Sequence, residues 1–166
     1  MKQYYEKDVF IGAITIQRLV PGDEPILHQL AIDSAHFEQP GHGAPLQPLE
    51  PDAAQRYLAN PAVLHWVAMD DITVVGSLYC TVIPCNAEEE YEVLLYEIGV
   101  HHQWRRHGVG RMLLVAMEEW MQQHAVSTVW VLADNPAAAE FYRACGFVVE
   151  AEQPVYMTRT LNGEAT

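Results

Sequence analysis

The stretch YEIGVHHQWRRHGVGRMLLVAMEEW, residues 96–120, decides the fold, because three patterns follow one another in it. It begins in an apolar segment that is typical of a buried strand. It continues through a turn that contains arginines and a pair of glycines. It ends with apolar residues at three- and four-residue steps, which predict a helix packed on a sheet from residue 109 to about residue 121.

The turn between this strand and this helix predicts a site for an anion. The first N–H groups of a helix have no partner within the helix, and the helix dipole adds positive charge there. Gly108 and Gly110 allow an anion to approach the backbone closely, and Arg105, Arg106 and Arg111 add cations. A diphosphate fits such a turn. The Gly-Lys-Ser/Thr of a Walker loop is absent, and the turn comes too late in the chain for a Rossmann fingerprint.

The pattern on either side of this stretch predicts an α/β (α+β) fold in one domain that covers residues 1–166. An apolar run at residues 9–16 and the alternation over residues 13–19 predict the first strand. Further strands are predicted at residues 65–69, 73–83, 93–100, 128–132 and 155–161. The 93–100 strand is so apolar that we expect it to be buried on both faces. Helices are predicted at residues 25–37, 51–59 and 136–145, and a proline-rich loop at residues 39–51.

Composition excludes several classes of partner. The formal net charge is −13, from 22 acidic and 9 basic residues, which argues against nucleic acid and fits a cationic substrate or simple solubility. No stretch approaches the roughly 20 apolar residues of a membrane span, so we expect no membrane partner. The 9–16 run lacks the basic start and cleavage site of a signal peptide.

Cysteine and histidine usage predicts reduced thiols and no metal. The three cysteines form no CxxC pair, which favours a cytoplasmic protein. The eight histidines show neither an HExxH motif nor the ligand spacing of a zinc site.

Two motifs resemble those of the GCN5-related N-acetyltransferase (GNAT) family. They are RxxGxG at residues 105–110 and NxxAxxxYxxxGF at residues 135–147, in the order and on the elements that the family uses. The resemblance spans nearly the whole chain. It implies the GNAT fold, a mixed and mostly antiparallel central sheet flanked by helices, with acetyl-CoA as cosubstrate.

The resemblance also assigns roles to residues. The segment 106–111 would bind the pyrophosphate through backbone N–H groups, the strand 98–100 would pair with pantetheine, and Asn135 would contact the pantetheine arm. Tyr142 would be the general acid near the sulfur; the alternative is an aromatic ring that only packs. The implied coenzyme-binding residues are Ile98, Gly99, Val100, Arg105, Arg106, His107, Gly108, Val109, Gly110, Arg111, Asn135, Ala138 and Tyr142.

Glu97 is the candidate base that accepts the amine proton, because it lies on the strand beside the expected thioester. The alternative is a salt bridge to an arginine of the turn. Tyr96, Glu97 and Asp134 are the candidate substrate-binding residues. A covalent route through Cys145 is disfavoured, because no His–Cys pair is evident to activate the thiol.

A closer resemblance is to the aminoglycoside 3-N-acetyltransferases of the GNAT type, carried by YLANP, VVGSLYCTVIP, YEVLLYEIGV and WRRHGVG. Those enzymes have a Tyr-Asp pair where this chain has Tyr96-Glu97. The resemblance implies acetylation of an aminoglycoside amine, the 3-amino group, with antibiotic resistance as the outcome; a homodimer is usual in the family. The alternatives are an acetyltransferase of a polyamine, another small amine or a protein N-terminus, and a non-catalytic coenzyme-A-binding module.

Overall fold

The computed structural model describes residues 14–37, 46–85, 90–152, 155 and 157–159. The chain forms two compact units, Met1–Leu132 and Ala133–Thr166. The described elements of the first unit are β1 (Thr15–Arg18), α1 (Glu24–Asp33), a 3₁₀ helix (Ser34–His36), α2 (Pro51–Ala59), β2 (Val63–Asp70), β3 (Thr73–Pro84), β4 (Tyr91–Val100), a second 3₁₀ helix (His102–Trp104), α3 (Val109–Gln123) and β5 (Thr128–Val131). The second unit contains α4 (Pro136–Ala144).

The five strands of the first unit form one sheet in the order β1-β2-β3-β4-β5. Strands β1 to β4 pair antiparallel with their neighbours, and β5 pairs parallel with β4. The parallel pair requires a crossover, which α3 supplies. The predicted fold, a mixed and mostly antiparallel sheet with flanking helices, is therefore confirmed.

Strand β3 fixes the position of α3 through its alternating side chains. Cys80 Sγ lies 3.6 Å from Met117 Sδ, so residues in step with Cys80 face α3. A Cβ at Gly76 would come within 2.8 Å of Val109 Cγ1 and 3.1 Å of Leu113 Cδ1. The absence of a side chain at Gly76 lets the first turn of α3 rest directly on the sheet.

An apolar cluster packs α1 and α2 against the sheet. Its buried members are Leu19, Leu58, Val67 and Val74, and its partly buried members are Ile26, Leu27, Leu30, Phe37, Tyr57 and Met69. Burial of each such side chain contributes about 2 kcal/mol to folding. The sheet is therefore covered by α3 through one set of alternating residues and by the α1–α2 pair through the other.

Three predicted elements differ from the structure. The helix predicted at 25–37 ends at Asp33 and tightens into the 3₁₀ helix, where the Ser34 hydroxyl donates to the Ala31 carbonyl at 2.8 Å. Hydrogen bonding of this kind competes with the helix ladder. Strand β4 is not buried on both faces, because Tyr96 and Glu97 are exposed. The strand predicted at 155–161 is absent from its described residues. Val155 and Met157, which alternation would place on one face of such a strand, are more than four-fifths exposed and so bury little apolar surface.

Other predictions fall largely outside the described residues. These are the first part of the 9–16 run, most of the 39–51 loop, and the remainder of the 155–161 strand. Within the described part of the chain, no helix combines the length and the apolar character that crossing a bilayer would require.

Candidate active site

A β-bulge in β4 shapes the candidate site in the first unit. Tyr79 of β3 pairs with Glu97, whereas the next residue of β3, Cys80, pairs with Leu95. Tyr96 is therefore an extra residue without a partner on β3. A bulge re-aims the side chains around it. It places Glu97 in register with Tyr79, on the face opposite α3, although strict alternation from Leu95 would have turned it toward α3.

The bulge also separates two edges of β4. On the edge away from β3, pairing with β5 covers Glu92 to Leu95 and then stops. On the other edge, the His101 N–H donates to the Val75 carbonyl at 3.0 Å. The direction of the backbone N–H and C=O groups alternates along a strand. Those of Ile98 and Val100 therefore point away from β3, toward the edge along which β5 pairing has ended. No described strand pairs with this edge beyond Leu95, and an unpaired edge is what a pantetheine chain would need for strand-like pairing.

A polar and aromatic cluster lies beside Glu97 on the same face of the sheet. Tyr57 Oη lies 2.9 Å from His65 Nδ1, and His65 Nε2 lies 2.8 Å from Ser77 Oγ. The ring of Tyr79 stands 5.9 Å from that of Tyr57 and 5.8 Å from that of His65. The Tyr96 ring is 5.4 Å from the Tyr79 ring and is 67% exposed. Three tyrosines and a histidine thus form a wall next to the candidate base.

Burial sets the protonation states in this wall. Burial lowers the pKa of His65 from 6.5 to about 4, so its imidazole is neutral at physiological pH. Burial, and then the charges of Tyr79 and Glu97, raise the pKa of Tyr57 above its ordinary value of 10.0. The two groups are therefore neutral hydrogen-bonding partners, and Glu97 is an acid close enough to influence the Tyr57 hydroxyl.

The start of α3 has the geometry of an anion site. Gly108 caps the helix with φ 83°, and a Cβ there would meet no atom within 4 Å. The first helical hydrogen bond runs from the Met112 N–H to the Gly108 carbonyl at 3.0 Å, so the N–H groups before Met112 precede the helix ladder. Arg106, with φ 68°, also takes the left-handed conformation. The turn before α3 thus combines open space beside Gly108 with backbone N–H groups that can donate to an anion.

The guanidinium group of Arg105 braces this turn. Its Nε donates to the Val100 carbonyl at 3.2 Å, and its Nη2 donates to the Phe37 carbonyl. The His107 ring lies 2.8 Å from the Arg105 carbonyl. Arg105 therefore ties the end of β4 to the residue after the first 3₁₀ helix.

The second unit contains the other predicted residues. Asn135 is the N-cap of α4: its Oδ1 accepts from the Ala138 N–H at 2.9 Å, and its Nδ2 donates to Asp134 Oδ1 at 2.7 Å. The Asn-x-x-Ala spacing of the motif is thus the spacing from an N-cap to the third helical residue. Tyr142 is buried, with its ring 5.4 Å from that of Phe141 and 5.3 Å from that of Phe147.

The structure brings together the predicted residues of the first unit. Tyr96, Glu97 and the 98–100 segment lie on one half of β4, and the 105–111 segment follows it directly. Sequence reasoning missed Tyr57, His65, Ser77 and Tyr79. The period-two alternation of β2 and β3 was visible, but only the strand register places these side chains beside Glu97.

The acetyltransferase (GNAT) family model matches residues 35–147, more than half of the chain. The chain therefore belongs to the acetyltransferase (GNAT) family. Among solved structures, the chain is similar to an aminoglycoside acetyltransferase from an uncultured soil metagenomic sample. The superposition on that enzyme in complex with trehalose has a TM-score of 0.76 at 28% sequence identity and covers 90% of this chain and 97% of the other. In complex with sisomicin it has the same TM-score and coverage, with 27% identity.

A curated relative is named for a different acceptor. The ribosomal protein bS18-alanine N-acetyltransferase of Escherichia coli (strain K12) is 36% identical over 58 residues, which are 34% of this chain and 39% of that relative. The match thus spans about two fifths of the relative's length. A ribosomal-protein-alanine N-acetyltransferase from Brucella melitensis biovar Abortus 2308, with a TM-score of 0.69 and 22% identity, covers 90% of this chain and 99% of the other and shows the shared fold.

Proposed function

We propose that the chain is an acetyl-CoA-dependent N-acetyltransferase that acetylates an aminoglycoside, at the 3-amino group, and so confers resistance. One observation carries the proposal: the bulge at Tyr96 exposes the Glu97 carboxylate where β4 opens an edge. The similarity to an aminoglycoside acetyltransferase that has been solved with sisomicin bound supports the acceptor class. The free cysteines support the reducing cytoplasm as its compartment.

The donor is acetyl-CoA, a substrate rather than a resident cofactor. The amides before Met112 and the space above Gly108 suit its pyrophosphate. The edge of Ile98 and Val100 suits the amides of pantetheine, and an N–H there would polarise the thioester carbonyl. Arg105 holds the strand and turn in this arrangement through two backbone carbonyls.

The reaction is direct transfer. The neutral amine nitrogen forms a bond to the thioester carbon, its proton passes to Glu97 directly or through water, and the carbon–sulfur bond breaks. The departing thiolate takes a proton, and the family resemblance assigns Tyr142 as its donor. Holding amine and thioester together supplies much of the rate.

The wall of Tyr57, Tyr79 and Tyr96 supports a polyamine sugar as the acceptor. Aromatic rings attract ammonium groups, and a net charge of −13 favours the approach of a polycation.

The resemblance also predicts a homodimer. Analytical ultracentrifugation of the chain tests this prediction by measuring its mass in solution.

A second candidate acceptor is a protein N-terminus that begins with alanine. The match to the bS18-alanine N-acetyltransferase favours it. It would require an extended peptide to lie along the same wall. The two candidates differ in charge: an aminoglycoside offers several ammonium groups, whereas an N-terminal peptide offers one.

The decisive experiment measures thiol release from acetyl-CoA with aminoglycosides, spermidine and an N-terminal bS18 peptide, with mass spectrometry and NMR of each product. We expect the highest kcat/KM with an aminoglycoside and a product acetylated at the 3-amino group. Tyr142→Phe should slow release, whereas Tyr91→Phe, a matched change at an exposed tyrosine, should not. Faster turnover of the peptide would select the second candidate, and no turnover with any acceptor would refute both.

A further inference from the structure

Three histidines from two distant parts of the sequence meet beside the open half of β4. His36 ends the first 3₁₀ helix, and His101 and His102 directly follow β4. The His36 ring is 5.1 Å from that of His101 and 6.2 Å from that of His102, and the last two are 4.6 Å apart. One ring nitrogen of each lies within 4.8 Å of those of the other two.

One of these rings is already oriented for a ligand. The His102 Nδ1 lies 3.1 Å from the His36 carbonyl, an acceptor, so Nδ1 carries the proton and the lone pair is on Nε2. This contact, a ring N–H on a backbone carbonyl, is the usual support of a metal-binding histidine. The His101 Nδ1 accepts a 3.3 Å bond from the Gln103 N–H, which is long enough to be given up at little cost.

The geometry points to a metal site in which His36, His101 and His102 bind Zn²⁺ or a similar borderline cation, with the fourth position open. Three imidazoles suit Zn²⁺, Cu²⁺, Ni²⁺ and Co²⁺. Tetrahedral coordination at about 2.0–2.1 Å places ligand nitrogens roughly 3.3 Å apart. The present spacing of up to 4.8 Å closes to this value by side-chain rotation, since one histidine is exposed and two are half-buried.

The site would fasten the first 3₁₀ helix to the turn that follows β4. Phe37, next to His36, already lies over Gly99, where a Cβ would come within 2.9 Å of its ring. Arg105 ties the same two segments through the Phe37 and Val100 carbonyls. The His102 ring already contacts the His36 carbonyl, and a cation shared by His36, His101 and His102 would add a further tie that holds Phe37 on the strand.

The test uses the full, untagged chain after treatment with a chelator. Titration with Co²⁺ should give the intense visible absorption of a tetrahedral site at one equivalent, and Zn²⁺ should displace it. One equivalent of Zn²⁺ should raise Tm. His36→Ala and His102→Ala should each weaken binding by at least about tenfold, because each removes one of three ligands.

His124→Ala is the matched control, since this histidine stacks on Trp120 at the end of α3 and should leave binding unchanged. Circular dichroism of each variant checks that it folds, and His102→Gln repeats the test with a polar side chain. Wild-type protein that binds no stoichiometric Co²⁺ or Zn²⁺ at micromolar concentration would overturn the proposal. So would His36→Ala and His102→Ala variants that bind as tightly as the wild type.

Discussion

The two halves of β4 differ in strand pairing and in exposure. Residues 91–95 pair with β3 on one side, residues 92–95 pair with β5 on the other, and Val93 and Leu95 are almost completely buried. Residues 96–100 keep β3 but leave β5, and they begin with the exposed pair Tyr96 and Glu97. One strand is thus a core element in its first half and the candidate site in its second.

The difference arises from one extra residue rather than from composition. Both halves are largely apolar, and both pair with β3 except at the extra residue Tyr96. The bulge at Tyr96 changes the face of every side chain that follows and coincides with the end of β5 pairing. A rigid sheet therefore supports the exposed half directly, which is the precision that a catalytic group requires.

The largest expected effect is on kcat/KM, when one glutamate on each half is neutralised. Glu97→Gln should lower kcat/KM by about 1,000-fold, because a positioned base contributes roughly 10²–10⁴. Glu92→Gln, the control on the first half, keeps an oxygen for the Trp130 indole N–H, now at 3.1 Å, and should change activity by less than about twofold. Steady-state kinetics with acetyl-CoA and the best acceptor measure both. Equal losses would show that the halves do not differ in function.

The next largest effect should be on the free energy of unfolding, and a truncation in the first half should produce it while one in the second half should not. Leu95→Ala removes a side chain that is 1% exposed and should lower the free energy of unfolding by about 3–4 kcal/mol, since the core cannot close the cavity. Tyr96→Ala, on the exposed half, should cost less than about 1 kcal/mol. Urea unfolding followed by circular dichroism measures both values. A costly Tyr96→Ala would mean that the second half is also a core element.

The wall behind the second half should make stability depend on pH. The pKa of His65 is about 4 in the folded chain and near 6.5 when unfolded, so the unfolded state binds more protons below pH 6.5. Stability should fall by about 3 kcal/mol as pH drops from 6.5 to 4. His65→Gln, which can still bond Tyr57 and Ser77, should lose this part of the slope. Identical slopes in wild type and variant, in urea unfolding across this range, would contradict the assignment.

The smallest effect should come from the turn that follows the second half. Gly108→Ala should cost about 1 kcal/mol of stability, because φ 83° is unfavourable for alanine. The methyl group would also occupy the space above the helix start and weaken coenzyme A binding. Gly22→Ala, at φ 109° and with an equally open position, is the control that should destabilise without changing affinity. Calorimetry with coenzyme A separates the two.

Much of the fold was predictable because its signals are local. The helix at 109–121, the strand at 73–83 and the cap at Gly146, with φ 94°, follow from periodicity and from the conformations that single residues prefer. The order of the two motifs also predicted the family that the comparisons confirm.

The rest was not predictable because it depends on pairing between distant strands. The bulge at Tyr96 appears only in the register of β4 on β3, and the apolar sequence of β4 suggested a strand buried on both faces. His36 meets His101 and His102 across 65 residues, so no ligand spacing could indicate the cluster. The roles of Glu97 and Tyr142 as base and acid stay predictions.

The bulge has a consequence for how this chain can change. Substitutions at residue 96 alter only one exposed side chain. A one-residue slip that paired Tyr96 with Tyr79 would instead remove the bulge and restore strict alternation along β4. Glu97 would then point at Leu113 and Met117 of α3, where both are completely buried, and its carboxylate would lose its hydration. The register of this half of the strand on β3 is therefore under stronger constraint than the identity of residue 96, and acceptor preference can evolve there by replacements that keep Glu97 opposite Tyr79.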